Sequence, residues 1–202
     1  MSEQGRRPGR PPVTDAESLR AAALPLIDSR GYEHTSMAWL AEALGVSVRT
    51  LHRYFPAKAD IVWGGIDHSI IALTRSLCEA EDGDPLLDAV ALAVDRVLQH
   101  NIEDLATMRA RIRLIARTPA LRTARSATFE RWREEMIRFT ARRLGLAPTA
   151  LASLTLGSAL HETISQALGW WAVTDTGTPP ATCVRQAFDH LARLGTSSPF
   201  RF

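Results

Sequence analysis

The chain lacks most features that would assign it a chemistry at once. Its two cysteines, Cys78 and Cys183, lie far apart and in no paired spacing. That excludes a disulfide framework and a cysteine-based zinc site. The six histidines, His34, His52, His68, His100, His161 and His190, fall in no metal-ligand spacing, so neither metal nor cofactor is expected. There is no glycine-rich phosphate loop, no nucleophile elbow and no nucleophile with its base. No catalytic residue is therefore expected, and the chain reads as a non-enzyme. No apolar run reaches the length of a membrane span and no signal peptide opens the sequence, so membrane contact is not expected and the cytoplasm is the expected location. A net charge of only +2 excludes a polycation, so any basic surface must be local. Strand-like alternation and fixed-period repeats are both missing.

What is there is ordinary globular material. With 46% hydrophobic and 23% charged residues among 202, the chain can bury a sizeable core. The segment Gly5 to Pro12 carries Arg6, Arg7 and Arg10 and nothing that could pack, so it reads as a flexible basic arm. Beyond it the pattern is helix after helix, over about 15–30, 36–44, 47–54, 57–79, 86–101, 105–117, 121–144, 149–173 and 181–194. In the first, Leu19, Ala22, Ala23, Leu26 and Ile27 form one stripe, and Pro25 is expected to kink it. The expected fold is all-α, with about nine helices. An arm at 1–12 and a three-helix helix-turn-helix domain at 13–60 precede a larger helical bundle at 61–202.

The functional constellation lies between residues 35 and 58. Thr35 or Ser36 starts a short helix that Gly45 ends; Ser47 caps the next, which Pro56 stops. Two short helices joined by Gly45-Val46 have helix-turn-helix spacing. In the second, Leu51 and Phe55 point to the core, leaving Val48, Arg49, Thr50, His52 and Arg53 for solvent or DNA. Helix N-termini beside Thr35, Ser36 and Lys58 are natural phosphate seats.

The stretch T-S-M-A-W-L-A-E-A-L-G-V-S-V-R-T-L-H-R-Y-F-P-A-K-A-D-I, Thr35 to Ile61, resembles the signature of the TetR family of transcriptional regulators. The resemblance implies phosphate contacts from Thr35, Thr50, Tyr54 and Lys58, base-edge contacts from Arg49 and His52, and a site that includes Ser36, Ser47 and Val48. This chain has Val48 where the family often has a basic residue, Arg49 where it often has glycine, and His52 where it often has tyrosine. Trp39 replaces a usually polar position. The base-reading set is thus individual to this protein.

A second resemblance, over Arg49 to Gly64, Met108 to Leu121, Trp132-Arg133 and Ala141 to Gly145, is to the subset that includes mycofactocin-associated regulators. It implies an acyl-CoA-like effector, with Arg109, Arg113, His161 and Trp170 as ligand candidates. Each has a plainer reading: a solvated basic face for the arginines, a structural role for His161, core or dimer packing for Trp170. The arm with Arg6, Arg7 and Arg10 is either a minor-groove reader or a solvated tail. Partners implied are a palindromic double-stranded operator, a small-molecule effector and a second copy of the chain. That copy is expected to dock on the last two helices, where Gly157, Ser158 and Ala159 allow close approach. Repression released by ligand is the mode the family implies. Two alternatives stand beside it: a regulator with no ligand, and a helical carrier or enzyme that keeps a vestigial helix-turn-helix.

Overall fold

The computed structural model describes residues 15–81, 83–99, 104–123, 127–174 and 177–196. The arm with Arg6, Arg7 and Arg10 lies outside these residues. The described part is built from helices α1 (Ala16–Arg30), α2 (Met37–Leu44), α3 (Val48–Tyr54), α4 (Lys58–Trp63), α5 (Asp67–Glu79), α6 (Leu86–Gln99), α7 (Leu105–Arg117), α8 (Pro119–Thr123), α9 (Ala127–Leu144), α10 (Leu151–Val173) and α11 (Pro180–Thr196), with no strand among the described residues.

The all-α expectation holds, but two of the nine expected helices are each divided. The helix expected over 57–79 breaks at Gly64-Gly65-Ile66. Gly65 has φ +78, and a Cβ there would lie 2.7 Å from Arg20 Nη1. The left-handed φ of Gly65 favours glycine, and a Cβ on Gly64 would lie 2.6 Å from the Asp60 carbonyl oxygen, so the chain turns here on two residues without side chains. The helix expected over 121–144 is represented by α8 and α9.

Caps account for the other boundaries. Asp15 accepts the Ser18 amide at 2.8 Å to start α1, and Gly31, at φ +90, ends it. Asp104 accepts the amides of Ala106 and Thr107 to start α7. Pro25 lies inside α1 on an exposed position, and Ala21, whose carbonyl it leaves without an amide, is also exposed. Water can take that bond, which explains how the helix tolerates the residue.

Two large apolar clusters fill the molecule, with a small third one, Met108, Trp171, Ala172 and Cys183, where α7, α10 and α11 meet. The first joins Leu19, Leu24 and Ile27 of α1 to Leu40 of α2, Leu51 of α3 and Ile61 of α4, with Leu114 of α7 and Leu121 of α8 closing it. The second joins α5, α6, α9, α10 and α11 through Leu73, Val90, Met136, Phe139, Ile164 and Phe188. Each fully buried side chain of this size contributes about 1.5–3 kcal/mol. Helix α7 packs on both α1 and α10, and so ties the two clusters together.

Among the small residues of α10, Gly157 does not serve as expected. Gly157 is buried, and a Cβ on it would press into the backbone of Ile137 on α9. The close approach it permits is therefore within one chain. Leu160 is likewise buried, whereas Leu156 and Ala159 are exposed.

Candidate nucleic-acid interface

Local chemistry sets the pose of α3. Ser47 accepts the Thr50 amide at 3.0 Å, and its hydroxyl lies 2.8 Å from that of Thr50. Gly45, at φ +70, ends α2, and the Val46 amide returns to Ala41 at 2.9 Å. Leu51 and Phe55 are completely buried and lock the inner side of α3. The outer side is open: Val48, Arg49, His52 and Arg53 are exposed, and Thr50 is half-buried. Arg49 makes no hydrogen bond or ion pair to a described residue. One ring nitrogen of His52, Nδ1, lies 3.2 Å from the Pro56 carbonyl. If that nitrogen carries the proton, Nε2 of the neutral ring is left as an acceptor. Arg53 stacks 4.9 Å over the half-buried Tyr54 ring and donates to its hydroxyl at 3.2 Å.

The residues flanking α3 divide differently from expectation. Ser36 is exposed and caps α2, accepting the Trp39 amide at 3.1 Å. Thr35 is buried, and its hydroxyl donates to the Gly31 carbonyl at 2.8 Å. Lys58 is half-buried. Its Nζ donates to the carbonyls of Tyr32 and Thr35, the latter at 2.7 Å, and sits 4.0 Å over the Tyr32 ring. Burial holds its pKa below the ordinary lysine value, with Glu33 opposing. Thr35 and Lys58 thus clasp the α1–α2 loop, and their side chains are engaged there. Trp39 gains a partner: the Arg30 guanidinium lies 4.4 Å over its ring while Nε donates to the His34 carbonyl at 2.8 Å.

The four ligand candidates are not gathered into one site. Arg109 reaches the Trp171 carbonyl at 3.4 Å and stacks 4.7 Å over the Trp171 ring. Arg113 donates from Nε to the Ala172 carbonyl at 2.8 Å and pairs with Asp28 at 2.9 Å. Both cations therefore serve the carbonyl end of α10, where a phosphate would be unwelcome. The solvated-face reading also fails for the buried Arg111, which donates to the Val62 and Gly64 carbonyls, the second at 2.7 Å. His161 is buried edge-on to Phe129 at 4.4 Å, and Phe129 meets Trp63 at 6.0 Å. Trp170 is exposed and about 14 Å along α10 from His161. Trp63, buried at the end of α4, has an indole N–H with no acceptor, a feature without a sequence signature.

No helix among the described residues is long and apolar enough to cross a membrane. Residues 84–194 match the family described as the MftR C-terminal domain, and residues 19–62 match the bacterial regulatory proteins of the tetR family. The chain is 30% identical over 159 residues to a protein of Mycobacterium tuberculosis described as the mycofactocin biosynthesis transcriptional regulator MftR, covering 76% of this chain and 80% of that one. It is 31% identical over 136 residues to the HTH-type transcriptional regulator TcmR of Streptomyces glaucescens, covering 64% of this chain and 60% of that one. Among solved structures it resembles Thermus thermophilus FadR, a TetR family transcriptional repressor in complex with lauroyl-CoA, at TM-score 0.55 and 16% identity over 93% of this chain and 96% of that one. It also resembles the TetR family regulator PfmR, likewise of Thermus thermophilus, at TM-score 0.55 and 22% identity over 87% of this chain and 97% of that one. With its helix-turn-helix and its helical C-terminal region each matched, the chain belongs to the TetR family of bacterial transcriptional regulators, in the group that carries the MftR C-terminal domain.

Proposed function

We propose that the protein is a dimeric repressor that reads a palindromic operator with α3 and is released by an acyl-CoA-class effector. The observation that carries the DNA half is the two-sidedness of α3. Its inner side is sealed by Leu51 and Phe55, while Arg49 on the outer side is exposed and has no described partner. An unpaired guanidinium on a groove-sized helix suits the O6/N7 edge of guanine, and a His52 Nε2 acceptor suits an amino edge of adenine or cytosine. Ser36, Ser47, Thr50 and Tyr54 position the helix against phosphates, with Val48 against a base methyl group. Lys58 holds the loop behind them, and Arg6, Arg7 and Arg10 reach the flanking minor groove.

The dimer reading rests on α10. Leu151, Thr155, Ala159, Glu162, Gln166, Trp170 and Val173 all lie on one exposed side of a 23-residue helix, with the large apolar Leu151 at one end and Trp170 and Val173 at the other. Those exposed apolar ends are covered when a second copy packs against the helix, with α11 alongside. For the effector, the support is the lauroyl-CoA bound by the structurally similar FadR and the Trp63 N–H, which is buried without an acceptor beside Phe129. An effector carbonyl reaching Trp63 at the end of α4 would act next to the Gly64-Gly65 break and shift the reading head.

The test is selection of genomic fragments on purified protein, followed by competition with lauroyl-CoA. Inverted half-sites one helical turn apart, or a multiple of it, are expected, with release by lauroyl-CoA and none by coenzyme A alone. An enriched motif without internal symmetry would overturn the dimer reading. Equal DNA affinity with and without saturating lauroyl-CoA would overturn the effector class.

A further inference from the structure

Helix α7 bears four arginines, and three of them leave the helix for other elements. Arg111 holds the carbonyls of Val62 and Gly64 at the end of α4. Arg109 reaches the Trp171 carbonyl near the end of α10. Arg113 does two things at once: Nε donates to the Ala172 carbonyl at 2.8 Å, and Nη1 pairs with the Asp28 carboxylate of α1 at 2.9 Å. One guanidinium thus spans α10, the proposed dimerisation helix, and α1, which belongs to the reading head.

We propose that Arg113 is a positioning residue for operator recognition: its fork, held between Asp28 and the carbonyl end of α10, fixes the angle between the reading head and the dimerisation helix. The consequence for operator spacing rests on the dimer reading above; the orientation itself does not.

Three observations favour positioning over simple stabilisation. The two contacts come from different nitrogens of a rigid planar group, so together they set a direction as well as a distance. Burial raises the Asp28 carboxyl above its usual range even with Arg113 and Arg117 nearby, so the cost of burying the carboxylate offsets part of the pair's attraction. And the neighbouring path through α4 is interrupted by Gly64 and Gly65, which leaves the head in need of a second hold.

The experiment uses the full chain with spin labels at native Cys78 on α5 and at Glu42→Cys on α2, both exposed positions, in a Cys183→Ala background. Dilution with unlabelled chain isolates distances within one protomer. Asp28→Asn and Arg113→Lys are each expected to broaden or shift the distance distribution. Lysine keeps the charge but replaces two nitrogens of a rigid plane with a single one on a flexible stem, so a purely electrostatic role would be rescued by it and a positioning role would not. On DNA, both variants should bind a single half-site as the wild type does. Their preference for the wild-type spacing over one lengthened by a base pair should fall by about three- to tenfold. An unchanged distance distribution in both variants overturns the proposal, as does half-site binding that falls as far as palindrome binding. A broadened distribution alongside a wild type with no spacing preference would support the clasp and overturn the dimer reading.

Discussion

At Lys58 the chain spends a cation on two backbone carbonyls. A surface lysine meant only for phosphate would be free, but this one is half-buried, stacked on Tyr32 and bonded to the Tyr32 and Thr35 carbonyls. Lys58→Ala is therefore expected to lower stability by about 1–3 kcal/mol, since the Thr35 carbonyl loses a charged donor, and to weaken binding to all DNA sequences alike. Chemical unfolding and binding titrations on specific and random duplexes check both halves; a loss confined to the specific operator would contradict the assignment. Asp28 makes a different prediction. Its carboxyl pKa is raised, chiefly by burial and against the pull of Arg113. A raised acid favours the protonated form in the fold, so its contribution to stability is complete at acid pH and is lost as pH rises through the raised value. Asp28→Asn, a neutral mimic, should thus gain on the wild type in unfolding free energy between about pH 4 and pH 7. Paired melts across that range test the sign; a variant that loses ground as pH rises would show that the ion pair stabilises the fold.

At the scale of elements, what is legible in the sequence is local and what is not is distant. Caps and stops lie within a few residues of the backbone groups they satisfy. Ser36, Gly45 and Ser47 can therefore be placed or bracketed by spacing, and α3 emerges with its inner and outer faces correctly divided. The break after α4 does have a local signal, the Gly64-Gly65 pair, which a single helix over 57–79 passes over; Gly65 takes a left-handed φ there. The arginines of α7 escape sequence reading because of distance. Their partners are main-chain carbonyls at the ends of α4 and α10, and a carbonyl has no residue type to read. Gly157 packs on a different neighbour from the one expected, since a small residue announces a close approach without naming the helix that makes it. With the Ile137 backbone of α9 against it, Gly157→Ala should force α9 and α10 apart and cost about 1–3 kcal/mol. Urea unfolding checks this, and a stability unchanged from wild type would return Gly157 to a subunit interface.

At the scale of the molecule, α7 gives Leu114 to the cluster of the reading head and Met108 to the small one it shares with α10 and α11, so the reading head is not a free bead on a linker. That connection matters because recognition by one α3 is weak and the proposed palindrome is read by two heads at a fixed separation. The exposed side of α10 supplies the means: Trp170→Arg is expected to leave a folded monomer at micromolar concentration, seen by sedimentation, that binds half-sites but not the palindrome cooperatively. An unchanged dimer would move the interface elsewhere. Linkage then requires that an effector which weakens operator binding be itself bound more weakly by the operator-bound form, by the same factor.

All of this depends on the exposed side of α3 lying in the major groove, and methylation interference on the selected operator tests that most directly. Methyl groups at guanine N7 project into the major groove, and those at adenine N3 into the minor groove. Interference at guanine N7 is predicted symmetrically in both half-sites, and in Arg49→Ala it should vanish at one guanine per half-site while binding loses about 1–3 kcal/mol of discrimination at that base pair. Binding that tolerates N7 methylation throughout both half-sites would contradict the account.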